Sequence, residues 1–262
     1  MIFGVMRIIN FAHGELYMLG AFGTYVLCTI LKIPYLVGIL VSAITVGAFG
    51  ILLEKVFFSH VRSVRGKEEL NSMILALGIA IVIQNSIALV FGPEDLSIAS
   101  TFTNVLNVGK VFYPAERVFV AFFSFCVLVA IYVFIKFHKY GNALRAVVQD
   151  AEAAAIQGIK INRVYAMCFG IGSFLAAIAG GLLGPVFSIS AFMGSWGLLK
   201  AFIIVILGGL GSFAGAIAGG FIIGFTDSIM GTFFGGAASN MLGFFVIILV
   251  LIFKPSGLLG SE

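Results

Sequence analysis

SMILALGIAIVIQNSIALVF, residues 72–91, decides the fold: twenty consecutive residues carry no charged side chain. A helix of that length rises about 30 Å, the thickness of a bilayer's hydrocarbon layer. Further apolar runs lie near residues 16–31, 35–53, 118–135, 164–183, 198–225 and 242–253. With 61% hydrophobic and 10% charged residues and a mean hydropathy of +1.18, the chain is more apolar than a soluble core requires. Alternating polar and apolar segments of the kind a barrel needs are missing from the sequence. Backbone groups in lipid must therefore be satisfied within helices. The expectation is an all-α, polytopic transmembrane bundle of about seven to eight membrane segments, one domain spanning residues 1–262. The 198–225 run counts as two short helices if GGLGSFAGAIAGG, residues 208–220, breaks it.

Orientation follows from Lys and Arg, whose excess marks short cytoplasmic loops. Residues 54–71 hold Lys55, Arg62, Arg65 and Lys67; residues 136–163 hold Lys136, Lys139, Arg145, Lys160 and Arg163. Both loops are expected inside, with Arg7 and Lys254, against Lys32, Lys110 and Arg117 outside. Lys200 falls within or beside a span. The outer loop from Gly92 to Arg117, including VLNVGKVFYP, is a docking surface for an extracytoplasmic partner or a plain connector. Cys28, Cys126 and Cys168 sit in apolar runs as small hydrophobes, and no chemistry is assigned to them. MIFGVMRIINF shows neither a basic n-region nor a cleavage site, so no removable signal peptide is expected.

In the second basic loop, YGNALRAVVQDAEAAAIQGIKINR (residues 140–163), Leu144, Val147, Val148, Ala151, Ala154 and Ala155 recur at helical spacing. One amphipathic helix of about four turns is predicted over 141–158, ended by Gly158 in a left-handed conformation. Either it is a rod that a cytosolic partner grips or it lies on the lipid surface. Its Ala- and Val-rich face, without Trp or Phe, suits a protein groove better.

IINFAHGELY, residues 8–17, places Asn10, His13 and Glu15 beside an apolar run. Ionisable groups in a membrane segment generally face a bundle interior or watery cavity. Two readings stand: a helix break whose groups face a substrate path, or a surface position where Glu15 begins a helix near its positive end. Gly208, Gly209 and Gly211 interrupt the later run in a comparable way. Gly211, Gly215 and Gly219 also repeat every four residues, as a close-packed helix face would. Lys200 is a pathway charge or a snorkelling side chain; Asp227 is expected at the outer surface.

INFAHGELYMLGA is similar to the signature of the branched-chain amino acid permeases of ABC importers, and the 140–163 loop resembles their EAA-type coupling motif. LNSMILALGIAIVIQN, KAFIIVILGGLGSFAGAIAGGFIIG and LVLIFKPSGLLG extend the likeness to the LivH-type subunit over nearly the whole chain. The resemblance implies a non-catalytic permease subunit of the cytoplasmic (inner) membrane. It would work with a second related permease, two cytosolic ATPases that bind the ATP, and an extracytoplasmic substrate-binding protein. The chain itself would carry no cofactor. It further implies a coupling helix at 141–158, with Gly141, Arg145, Asp150, Glu152 and Gly158 serving the ATPase contact, and Asn10, His13, Glu15, Lys200, Gly208, Gly209 and Gly211 on the substrate pathway. Family members usually begin with one more transmembrane helix, so the expectation is of a chain short at its N-terminus.

No G-x-x-x-x-G-K-[ST] loop, G-x-S-x-G elbow or H-E-x-x-H pair occurs, and three scattered His residues offer no metal set. Membrane lipid is an expected partner; nucleic acid is not. Permeation of urea or short amides remains an alternative within the family, and an ion-coupled transporter or channel an alternative outside it. An intramembrane hydrolase lacks any evident nucleophile pair.

Overall fold

The computed structural model describes residues 2–6, 10–62, 68–98, 105–108, 111–254 and 256–259. Arg7, Arg65, Lys67 and Lys110, used for orientation, lie outside the described residues. The helices are α1 (Ile2–Met6), α2 (His13–Tyr25), α3 (Tyr35–Leu53), α4 (Ser59–Arg62), α5 (Glu68–Phe91), α6 (Ala115–Phe137), α7 (Lys139–Gln149), α8 (Ala151–Ile156), α9 (Ile161–Leu183), α10 (Met193–Gly208), α11 (Phe213–Phe234) and α12 (Gly236–Phe253). A π-helical turn, Val26–Ile30, continues α2, and another, Glu54–Phe58, joins α3 to α4. Five stretches are long and apolar enough to cross a membrane: Tyr35–Arg62, Glu69–Phe91, Ala115–Phe137, Ile161–Leu183 and Phe213–Phe234; α10 is a shorter apolar helix. The chain is an all-α, multi-pass bundle of the cytoplasmic membrane.

The outer loop adds a small antiparallel hairpin, β1 (Val105–Val108) with β2 (Val111–Pro114), in the register Val105 to Pro114 and Val108 to Val111. Leu96 and Ile189 exchange backbone hydrogen bonds of 2.8 and 2.7 Å, tying the start of that loop to the segment after α9.

The chain forms two compact units, divided between Gly194 and Ser195. In the larger, α9 lies against α2 and α3, and small residues set the spacing. A Cβ on Gly20 would strike the backbone of Ala177, and one on Gly180 the carbonyl of Tyr17. Association in lipid depends on such close packing, because lipid tails supply no hydrophobic drive between helices. Three buried hydroxyls are satisfied by helix carbonyls: Thr24 and Ser42 donate to Gly20 O at 2.8 and 3.0 Å, and Ser173 to Phe169 O at 2.7 Å; the buried Ser72 hydroxyl has no partner among the described residues. Tyr35 reaches Gly181 O at 2.9 Å.

In the smaller unit, α10 and α11 form a hairpin around residues 209–212, so the long sixth run is indeed two helices. Gly209 and Gly211 have φ of +103° and +90°, and Ser212 Oγ accepts the Gly215 N–H at 3.0 Å to start α11. The three-glycine face reduces to two. Gly211 serves the turn, because its backbone is left-handed, while Gly215 packs on Gly208 and Gly219 on Ile204. The last carbonyls of α10 are not orphaned: Leu258 and Leu259 donate to Leu207 O and Gly208 O at 2.9 and 3.0 Å.

Candidate functional site

The INFAHGE cluster is a break between helices. Asn10 lies outside both α1 and α2; its Oδ1 accepts the Ala12 N–H at 3.0 Å, and its carbonyl accepts the His13 N–H at 3.2 Å. Asn10 and Glu15 are 6% and 3% exposed and His13 is half-buried; Glu15 lies in the first turn of α2, near the helix's positive end. Asn10 Nδ2, His13 Nδ1 and Glu15 Oε2 find no hydrogen-bond partner among the described residues. Two glycines close the surroundings. A Cβ on Gly194 would stand 2.7 Å from Glu15 Oε2, and one on Gly172 would stand 3.7 Å from His13 Cε1. The break is thus walled by backbone from the segment after α9 and from α9 itself. Three polar atoms there have no partner among the described residues, which is costly in a dry interior unless water or a ligand meets them.

In the smaller unit, Lys200 Nζ donates to Asp227 Oδ2 at 2.7 Å, with side chains 44% and 23% exposed. Asp227, expected at the outer surface, is the partner of a residue halfway along α10. Its place on α11 comes level with Lys200 because the two helices turn back on each other at 209–212. Gly208, Gly209 and Gly211 occupy that turn and its close packing.

The 139–158 segment differs from the single rod expected. Asp150 is extended (φ −155°, ψ 110°), ends α7 and caps α8 by accepting the N–H groups of Glu152 and Ala153 at 2.9 and 3.0 Å. Aspartate's preference for the cap position outweighs continuation of the helix. Gly158 does take φ +85°. Its N–H bonds Ala155 O at 2.9 Å and the Ile159 N–H bonds Ala154 O at 3.1 Å, the paired closure of a Schellman ending. Leu144, Val147 and Ala154 are buried, whereas Val148 and Ala155, expected on the same face, are exposed. Gly141 lies where a Cβ would meet the carbonyls of Phe134 and Ile135, and Arg145 Nη2 donates to Lys136 O at 3.1 Å and Asn142 Oδ1 at 2.7 Å. Four of the five residues expected at an ATPase contact thus shape the segment. Glu152 alone of them has an exposed side chain with no such role described.

The family described as "Branched-chain amino acid transport system / permease component" matches residues 1–253. The chain belongs to this family. It is 31% identical over 274 residues to the high-affinity branched-chain amino acid transport system permease protein LivH of Escherichia coli, covering 99% of this chain and 88% of that protein. To the BraD permease protein of Pseudomonas aeruginosa, named for the same kind of system, it is 32% identical over 276 residues, with the same coverage. The probable LivH of Methanocaldococcus jannaschii is 25% identical over 280 residues, 97% of this chain and 83% of that one. No solved structure matches the chain.

Sequence reading missed three features of this branched-chain permease component. Glu54, 1% exposed, is ion-paired with Arg62, whose guanidinium stacks 4.6 Å from the Tyr165 ring centre. Val148 and Ile156 are 41% and 85% exposed on α7 and α8. A groove of about 600 Å³ opens between Glu54, Lys55 and Ser59 on one side and residues 160–163 on the other. Only the last had a signal in the sequence, in the basic residues of both loops.

Proposed function

We propose that the chain is the membrane subunit of an ATP-driven importer for branched-chain amino acids. A second, related permease, two cytosolic ATPases and an extracytoplasmic binding protein complete the assembly. The observation that carries this reading is the α7–α8 segment. It is anchored through Leu144, Val147 and Ala154, braced to the end of α6 by Arg145, and it presents Val148, Glu152 and Ile156 outward. Such an element, held between two membrane helices, converts motion of a docked ATPase into motion of α6 and α9. The polar groups of Asn10, His13 and Glu15 that have no partner among the described residues suit a wet substrate path through the larger unit, and the hairpin of the outer loop suits the binding protein. Branched-chain cargo follows from the named relatives.

The test is uptake of leucine by the chain co-expressed with its permease and ATPase partners in proteoliposomes. Uptake requires ATP and the binding protein, and Ile156→Asp releases the ATPases while leaving the membrane bundle intact. Uptake by the chain alone, driven by an ion gradient without ATP, overturns the reading.

A further inference from the structure

Lys200 is the eighth of the sixteen residues of α10, so it lies about 10–12 Å along the axis from either end. Its ion pair with Asp227 therefore sits at mid-helix, beside Trp196 (61% exposed) and Leu199 (37%) of α10 and Phe244 (43%) of α12. Hydrocarbon solvates neither charge, so a half-exposed pair at this depth must border water, protein or a ligand. Beside it runs a crevice lined by Trp196, Leu199, Ile203, Ile223 and Phe244, with room for about 20 Å³. That is space for one water molecule, so the crevice is shut in this conformation.

A free α-amino acid carries a carboxylate and an ammonium on one carbon, with the side chain projecting from the same atom. It matches this site group for group. If the pair parts, Lys200 Nζ donates to the substrate carboxylate and the Asp227 carboxylate accepts from the ammonium, each a charge-assisted hydrogen bond like the one between them. The site is neutral before and after, so no net charge is buried. The adjoining walls are aliphatic and aromatic, as a branched side chain requires. Resting on the reading of the chain as an amino-acid permease, we propose that the Lys200–Asp227 pair is the closed form of a clamp for the zwitterionic main-chain groups of the cargo, with the neighbouring crevice receiving its side chain. Urea and simple amides carry no such charges and would leave the pair shut.

The complex with its permease and ATPase partners, in nanodiscs and proteoliposomes, tests this. Lys200→Met and Asp227→Asn each lower leucine uptake about tenfold to a hundredfold, the loss of one charge-assisted hydrogen bond, with the complex still assembled. The exchange Lys200→Asp with Asp227→Lys re-forms an ion pair but reverses the clamp, so assembly holds and uptake stays low. Independently of transport, alkylation of Leu199→Cys is slowed by leucine and not by urea. Normal uptake in both single variants, recovery by the exchange, loss of the second permease from either variant, or alkylation indifferent to leucine overturns the clamp. In each of those cases the unaltered complex still imports leucine on ATP, so the importer reading stands. Should the unaltered complex not import leucine, that reading fails and the clamp with it.

Discussion

Gly158 offers the cleanest energetic test in the α7–α8 segment. Its φ is +85°, and a Cβ built there meets no heavy atom within 4 Å, so the cost of Gly158→Ala is conformational and owes nothing to crowding. An L side chain in the left-handed region costs about 1–2 kcal/mol. The amides at stake are those of Gly158 and Ile159, which close α8 by bonding Ala155 O and Ala154 O. A penalty of that size raises the open fraction of the closure about five- to thirtyfold, and hydrogen exchange at those amides should rise by the same factor. The assay is exchange mass spectrometry on the assembled complex. Gly158→Asn should recover much of the protection, since asparagine tolerates this backbone region. Gly78→Ala in α5 is the control: there too no atom lies within 4 Å, the backbone is ordinary helix, and alanine should be neutral or stabilising. Unchanged exchange in Gly158→Ala, or identical behaviour of Ala and Asn, would refute the assignment of a left-handed closure.

Glu54→Gln should cost about 3–5 kcal/mol by leaving the Arg62 charge without its partner, and removing both charges in Glu54→Gln with Arg62→Met should restore part of it; thermal denaturation in detergent reads both. Gly180→Val drives a side chain into the carbonyl of Tyr17, and the overpacking should cost at least about 1–3 kcal/mol, seen as loss of monodisperse protein on size exclusion; an unchanged profile would count against the α2–α9 packing.

The membrane helices were legible because their signal is one of solvent. Any helical stretch of about twenty apolar residues is long enough to span hydrocarbon whatever its neighbours do, and α3 and the end of α9 fall where the apolar runs end. The turn at 209–212 was legible for a local reason, since glycines at positive φ and a capping serine are short-range signals. The break at Asp150 was not read, because apolar spacing along a helix face survives a one-residue interruption. The clue lay in the residue type, an aspartate two residues before Glu152 in an alanine-rich stretch, which favours capping over continuation. The hairpin had a usable signal too: VLNV and VFYP flank two residues, Gly109 and Lys110, a common hairpin spacing. The pairs Glu54–Arg62 and Lys200–Asp227 had none. The first depends on a π-helical turn between its members, and the second joins residues 27 apart that meet only because α10 and α11 fold back.

The same solvent argument separates structural from functional polarity in this chain. On a membrane helix a hydroxyl is silent when it returns its proton to a carbonyl one turn back, and the buried Thr24 and Ser173 do so, as do Thr45 and Ser59 nearer the surface. Their sequence positions, four residues after their acceptors, need no further cause. Asn10, His13 and Glu15 do the opposite: in the space of six residues each leaves a buried atom with no partner among the described residues, beside glycines whose missing side chains keep the backbone close. Stability alone would favour apolar replacements of similar volume there, because an unsatisfied buried polar group costs about 1–3 kcal/mol. A cluster that forgoes that gain three times over in one turn of chain is accounted for by a guest, water or cargo, that supplies the missing bonds. Leucine at His13 should accordingly leave the bundle as stable or more so while lowering uptake; leucine at Asn10 should lower uptake too, but at the cost of the Ala12 N–H bond, and normal uptake in both would return the cluster to a purely structural account.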